Sequence, residues 1–123
     1  MFKRLYRIDL RFAQDVSDLT GQAAIAPKAV PKTLFLDIVA VLSSDPVNLA
    51  PTDIPAKLEG ITFGQDVMIG GAINHTIYVG NDNDFLATFN GQDNPNQFFV
   101  FAFDDVDLPF YVPQRFHGDD HDR

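Results

Sequence analysis

A dense run of oxygen donors between positions 81 and 84 could bind a metal ion. It reads Asn81-Asp82-Asn83-Asp84, and carboxylate, amide and carbonyl oxygens are the ligands that calcium takes, about six to eight at a time. In an extended strand the two aspartates would face one side and the two asparagines the other. Asp82 and Asp84 are therefore the predicted metal ligands of this run. The alternative is that the run makes Asx turns at the end of a strand.

Glu59 is the second candidate, because it is the only glutamate among 17 acidic residues. It lies at the start of a short apolar segment and precedes Gly60, a residue type that permits close approach of the backbone. A carboxylate at such a position can bind a divalent cation or act as a general base toward water. The alternative is a strand-end carboxylate that bonds to neighbouring backbone amides.

The remaining titratable groups are assigned no chemistry. Three aspartates follow an apolar segment at 104–107, where solvent relieves their mutual repulsion more often than a cation does. His75 lies between a turn and a strand and is predicted to be a turn or surface histidine. The charged tail, residues 113–123, is predicted to be disordered because of Gly118 and its charge density, so His117 and His121 are not expected to form a metal site on a helix.

Composition disfavours several classes of function. The chain has no cysteine, and it lacks both the Gly-x-Ser-x-Gly elbow and the Gly-x-x-x-x-Gly-Lys phosphate loop. Its formal charge is −8 with only 9 Lys and Arg, so neither nucleic acid nor an anionic membrane is expected as a partner. No apolar run reaches the ~20 residues that span a bilayer. The charged residues among positions 1–10 do not fit a signal peptide.

The elements that must position the candidates are predicted to be short strands. Twelve Phe, 8 Gly and 8 Pro favour strands joined by tight loops. Residues 12–31 and 43–57 are predicted to be connections. Strands are predicted at 5–10, 59–63, 76–82 and 97–103, with one turn around Gly70-Gly71 and a second from Asn90-Gly91 through Asn94-Pro95.

Two segments need more than alternation to interpret. Residues 33–42 are almost continuously apolar, which predicts a strand at least through Asp37, with a short buried helix as the alternative. The segment 97–103 is apolar on both faces, so it should lie in a sheet that is covered on each side. Radially repeated four-stranded sheets provide such cover, and the spacing from Glu59 to Phe103 matches one unit of ~40 to 45 residues.

Several segments together resemble a known family. The most specific are Glu59-Gly60-Ile61 and Asn81-Asp82-Asn83-Asp84-Phe85, and their order and spacing extend from Leu5 to Pro109. In these segments the chain resembles the C-terminal part of phytase-like β-propeller proteins, the family described as "esterase-like activity of phytase".

The resemblance implies an all-β fold made of antiparallel four-stranded blade sheets. Residues 1–112 would form a partial β-propeller, about one complete blade plus part of another, followed by the charged tail. The segments 5–10 and 33–37 would be outer strands of one blade. The three later strands would be the inner strands of the last blade, and the other blades would lie upstream.

The resemblance also implies a function. The chain would be the C-terminal fragment of a hydrolase that acts on phosphomonoesters or related esters, with Glu59 beside the channel as base or cation ligand. Asp82 and Asp84 would be further ligands of calcium, and the fragment alone would be inactive. The partners would be the missing blades and a small phosphorylated substrate, and the location would be extracellular or periplasmic.

Two alternatives remain open. One is a non-catalytic propeller module for interaction or scaffolding, in which the acidic residues serve turns and solubility. The other is a protein that stands alone and self-associates through exposed strand edges.

Overall fold

The computed structural model describes residues 2–113 of the chain. They form antiparallel β-strands with a few short helices, as predicted. The chain divides into two compact units, a first unit, Met1–Ile54, and a second unit, Pro55–Arg123. The predicted tail lies outside the described residues except for Pro113. Among residues 2–113 no helix has the length and hydropathy needed to cross a membrane.

The first unit contains a two-stranded antiparallel sheet. In it, β1 (Arg4–Ile8) pairs with β2 (Lys32–Asp37), at two of the predicted strand positions. The predicted connections also contain helical turns, namely α1 (Gln22–Ile25) and two short 3-10 helices at Ala26–Lys28 and Pro51–Asp53. Both 3-10 helices carry proline at their start, where the missing N–H leaves no bond unmade.

Asp37 marks a change from strand to helix. It ends β2 and caps α2 (Ile38–Leu42), because its side chain accepts the Ala40 N–H at 3.2 Å, the ordinary role of aspartate at a helix start. Its other oxygen accepts from Arg4 Nε at 2.7 Å. Ile38 and Leu42 are buried. The two alternatives for residues 33–42 therefore occur in succession, a strand through Asp37 and then a buried helix.

The second unit is a small antiparallel β structure. The central strand pairs with two consecutive strands along one edge and with the last strand along the other, while a two-residue hairpin lies between them in sequence. In chain order the strands are β3 (Leu58–Phe63), β4 (Val67–Ile69), β5 (Ala72–Asn81), β6 (Thr88–Phe89), β7 (Gln92–Asp93) and β8 (Phe98–Phe103).

The turn predicted at Gly70-Gly71 is confirmed, and the second predicted turn is confirmed at Asn90-Gly91 but is shorter than predicted, because Gln92–Asp93 form β7. Gly70 and Gly71 join β4 to β5 with φ of 59° and 84°, and Asn90 and Gly91 join β6 to β7 with φ of 51° and 77°. Two successive residues with positive φ match the right-handed twist of the flanking strands. Between β3 and β4 the pairing shifts by one residue, from Phe63↔Ile77 to Val67↔Asn74, so the two strands continue one another around a bulge.

Cross-strand partners point to the same side of a sheet, so the register divides the side chains of the second unit between two faces. Along β5 and β8 one of these faces is buried and the other is open. The buried face carries four apolar side chains that are at least nine-tenths covered: Ile77, Val79, Phe101 and Phe103. The open face, on the other side, carries three exposed ones: Tyr78, Phe98 and Val100. The prediction that β8 needs cover on both faces is therefore met on one face only. No sheet closes within residues 2–113, so the partial propeller stays a prediction.

Candidate functional site

The predicted site residues meet at one ammonium group. Lys57 Nζ lies 3.8 Å from Glu59 Oε1 and 3.3 Å from Asp82 Oδ2, and it forms an ion pair with Asp84 Oδ1. We refer to these four residues as the Lys57 cluster. Three carboxylates against one ammonium leave a formal surplus of negative charge. The structure thus brings together all three residues predicted from sequence and adds a lysine that sequence reasoning did not single out.

Two strand ends position the cluster. Leu58 of β3 pairs with Asn81 of β5, and the backbone N–H of Asp82 donates to the Lys57 carbonyl at 3.0 Å. Asp82 Oδ1 then accepts the N–H of Asp84 at 2.8 Å, which is the Asx turn considered as an alternative for this run. Because Asp84 adopts a positive φ of 54°, the chain turns back and both aspartates reach Lys57.

The two asparagines of the run point away from the cluster, although β5 ends at Asn81 and the chain turns there instead of continuing as an alternating strand. Asn81 Oδ1 accepts the Gln97 N–H at 2.5 Å, and Asn83 Nδ2 donates to the carbonyl of Asn94 at 2.9 Å. Asn94 returns a bond to the Asn83 carbonyl at 3.1 Å. The asparagines therefore bind the returning chain and leave the aspartates to form the charged site.

The cluster is half exposed, and its charges stabilise one another. The carboxylate of Asp84 is the main cause that raises the pKa of Lys57, and burial opposes it. The N–H of Asp84, followed by Lys57, lowers the pKa of Asp82. The side chains of Lys57 and Glu59 are 40% and 55% exposed, so water screens these pairs and each contributes little to stability.

The predicted calcium ion has to be compared with this geometry. Carboxylates are the correct donor type, but calcium takes about six to eight oxygens, and the ammonium of Lys57 lies against all three carboxylates. Across residues 2–113 no group of three acidic or histidine side chains is arranged to hold a metal ion. The site in this form fits an ammonium rather than calcium, so calcium binding stays a prediction.

A second charged site surrounds His75. Its Nδ1 lies 2.7 Å from Asp66 Oδ1 and its Nε2 lies 3.4 Å from Asp105 Oδ1. The ring packs against Phe103 and Tyr111 with centroid distances of 5.4 and 4.6 Å. Its side chain is only 15% exposed. The prediction of a turn or surface histidine was wrong, because β5 begins at Ala72 and carries His75 on the buried face.

A signal for this site was present in the sequence. Once Gly70-Gly71 is taken as the turn of a two-residue hairpin, Asp66 falls opposite His75 in the register that pairs Val67 with Asn74. Asp105 could not be found in this way, since its approach depends on the turn after β8. There Asp104 Oδ1 accepts the N–H groups of two later residues, Val106 at 2.8 Å and Asp107 at 3.0 Å.

The pairing of His75 predicts a pH dependence of stability. Asp66 chiefly raises the pKa of His75, and Asp105 adds to it. A histidine with a raised pKa in the folded state stabilises the protein fully below its unfolded pKa of about 6.5, and the contribution is lost as pH rises through the folded value. The unfolding free energy from urea titrations should therefore fall between about pH 5.5 and 8.5 more steeply for the wild type than for His75→Gln.

The other two histidines are common to both proteins, so their titration cancels in this comparison. Equal slopes for the wild type and His75→Gln over the same pH range would contradict the assigned role of Asp66 and Asp105.

A cavity of about 310 Å³ lies in the first unit. Its wall includes Asp9, which accepts paired hydrogen bonds from Arg11 at 2.9 and 2.6 Å. Arg11 lowers the pKa of Asp9 to about 2. None of the predicted site residues contributes to the wall. The rest of it is mainly apolar and consists of Phe12, Gln14, Pro27, Lys28, Ala29, Val30 and Pro31.

Fold and site together define a class: an antiparallel β protein with a carboxylate cluster at adjoining strand ends. The profile of the phytase-like family, described as "Esterase-like activity of phytase", matches residues 1–85. This is more than half of the chain, and the chain belongs to that family, which confirms the resemblance. No curated protein and no solved structure matches the chain. The matched residues include the whole Lys57 cluster and end before β8.

Proposed function

We propose that this chain is part of a phytase-like β-propeller hydrolase that cleaves phosphate monoesters or related esters. The convergence of Glu59, Asp82 and Asp84 on Lys57 Nζ is the observation that supports the proposal. Lys57 and Glu59 lie about the start of β3, Asp82 and Asp84 follow β5 some 25 residues later in the chain, and the strand pairing brings the two groups together. The description of the family, "Esterase-like activity of phytase", supports ester hydrolysis as the proposed class of reaction.

The roles follow from the chemistry of each group. Lys57 neutralises part of the negative charge of the three carboxylates, so most of the positive charge that binds a phosphate would have to come from a metal ion such as calcium. Glu59 has no contact shorter than 3.8 Å to Lys57, so its carboxylate is the member most available to accept a proton from water. Asp82 and Asp84 hold the ammonium in place. Calcium, if the full site takes it, would bring positive charge toward the substrate and would share these same carboxylates.

Hydrolysis of a chromogenic phosphate monoester by the full-length hydrolase tests this function. Glu59→Gln should lower kcat by about 100-fold or more, because it removes the proposed base without changing its shape. The melting temperature should be unchanged, because Glu59 is half exposed. Removal of calcium with a chelator should lower the wild-type rate as well.

Asp93→Asn is a matched control, because it also neutralises one exposed carboxylate of the second unit but lies in β7, outside the cluster. It should retain the wild-type rate. Unchanged turnover in Glu59→Gln would refute the catalytic role, and unchanged turnover after chelation would refute calcium dependence.

A non-catalytic interaction or scaffold module is the second candidate function. One observation favours it: the open face of the second unit exposes Phe98 to 74% and Val100 to 51%. Large apolar side chains grouped on one sheet face are typical of surfaces that contact another protein. A full-length protein that binds a partner but hydrolyses no phosphate ester would support this second candidate.

A further inference from the structure

The outer edge of β8 is an unprotected strand edge. Within the described part of the chain β8 pairs with β5 alone, from His75↔Phe103 to Gly80↔Phe98. Its sequence is Phe-Phe-Val-Phe-Ala-Phe, without the charged residue, proline or bulge that usually protects an edge. A strand of this kind is a template for pairing with another strand.

The hydrogen-bonding phase of β8 identifies the outward-facing groups. The Asn81 N–H donates to the Gln97 carbonyl at 3.2 Å, and bonded pairs recur at every second residue of an antiparallel ladder. The peptide groups of Phe99 and Phe101 therefore face β5. Those of the alternate residues face outward: Phe98, Val100 and Ala102.

The side chains of β8 impose a second condition. Phe99 and Phe101 lie on the buried side of the sheet, and Phe98 and Val100 on the open face. An added strand must place apolar side chains on both sides while its own outward peptide groups meet those of β8. A second β8 meets both conditions when it runs antiparallel with Val100 opposite Val100, because all outward-facing residues then find a bonding partner.

Charge favours this antiparallel arrangement over a parallel one. An acidic turn with three aspartates at 104–107 follows β8, whereas the uncharged residues 94–97 precede it. Parallel pairing would set the two acidic turns side by side, and like charges directly opposite are destabilising. Antiparallel pairing sets each acidic turn beside an uncharged segment of the other copy.

We propose that β8 is a self-complementary edge through which two copies of this chain pair, antiparallel, about a two-fold axis at Val100. Each sheet then continues into the other, and the Phe98 and Val100 side chains of both copies form one apolar strip on the open face. The proposal concerns the 123-residue chain and does not depend on hydrolytic activity; it competes with a closed four-stranded blade, in which another strand would occupy the same edge of β8. β8 lies outside the residues that match the family.

Sedimentation and light scattering of the 123-residue chain test the pairing. The wild type should have the mass of a dimer, and Val100→Lys should raise the dimer dissociation constant about tenfold or more, because two ammonium groups would oppose each other at the axis. Thr62→Lys is a matched control on the open face, since Thr62 lies in the same cross-strand row but on the far edge. It should leave the dimer intact.

A cysteine cross-link tests the register even if Val100→Lys were to fold poorly. The chain has no cysteine of its own, and bonded antiparallel partners place their Cα atoms about 5.5 Å apart, within disulfide reach. Val100→Cys should cross-link on mild oxidation and Thr62→Cys should not. A wild-type monomer at about 100 μM would overturn the proposal, and so would equal cross-linking of the two cysteine variants.

Discussion

Replacement of Phe101 by alanine is expected to lower the unfolding free energy of the second unit by about 3 to 5 kcal/mol. Phe101 is 7% exposed, and it lies on the buried face opposite Ile77, which is 4% exposed. Removal of the ring loses its transfer free energy and leaves a cavity beside the central strand. The total stability of a unit of this size is only several kcal/mol, so we expect most of the variant to be unfolded at 37 °C.

Phe98→Ala provides the matched control for this prediction. Phe98 is the same residue type in the same strand but is 74% exposed on the open face, so its loss should cost less than about 1 kcal/mol. Urea titration monitored by circular dichroism measures both variants. Similar losses of stability in Phe98→Ala and Phe101→Ala would contradict the assignment of a buried and an open face.

Gly64→Ala should destabilise the second unit by about 1 to 3 kcal/mol through overpacking. A Cβ atom at Gly64 would overlap the ring of Tyr78 and lie 2.6 Å from Thr76 Oγ1. Thr76 cannot move easily, because it is 2% exposed and donates to the Gln65 carbonyl at 2.8 Å. The ring of Tyr78 thus occupies the space that any side chain at position 64 would need.

Gly60→Ala is the control, because a Cβ atom there would meet only the Gly80 backbone at 3.8 Å, an ordinary contact. We expect its effect on the thermal midpoint to be small. Tyr78→Ala in the Gly64→Ala background should recover part of the loss, as expected when two residues share one space. Equal effects of the two glycine substitutions would show that backbone entropy, and not packing, determines the result.

Local patterns predicted the strands that matter for the site. Apolar and β-branched runs identified β3, β5 and β8, and the Gly70-Gly71 pair identified the hairpin that orders them. The three-residue strand β4 and the two-residue strands β6 and β7 are too short for a periodic signal, and their existence depends on pairing. The start of α2 was less visible, because an apolar run after Asp37 fits a strand or a helix until its capping bond is known.

The candidate site was predicted in its acidic residues and missed in its cation. Strand alternation predicted that Asp82 and Asp84 share one side, and the Asx turn was considered only as an alternative to a metal site. Lys57 precedes β3, and no sequence pattern connects it to these two aspartates, which lie 25 and 27 positions away. For His75 the hairpin at Gly70-Gly71 places Asp66 opposite the ring, a signal that was overlooked, whereas the approach of Asp105 depends on the turn after β8. Long-range contacts of this kind follow from the sheet register and not from composition.

The one-residue shift of register between Phe63 and Val67 has a consequence for engineering. Insertion or deletion of a residue inside β5 would transfer every later side chain to the wrong side of the sheet, because strand periodicity is two. A change of length at residues 64–66 would also disturb β5, because Gly64 lies against Tyr78, the Gln65 carbonyl accepts from Thr76 and Asp66 pairs with His75. The bulge between β3 and β4 therefore has to keep its length for the central strand to keep its native contacts.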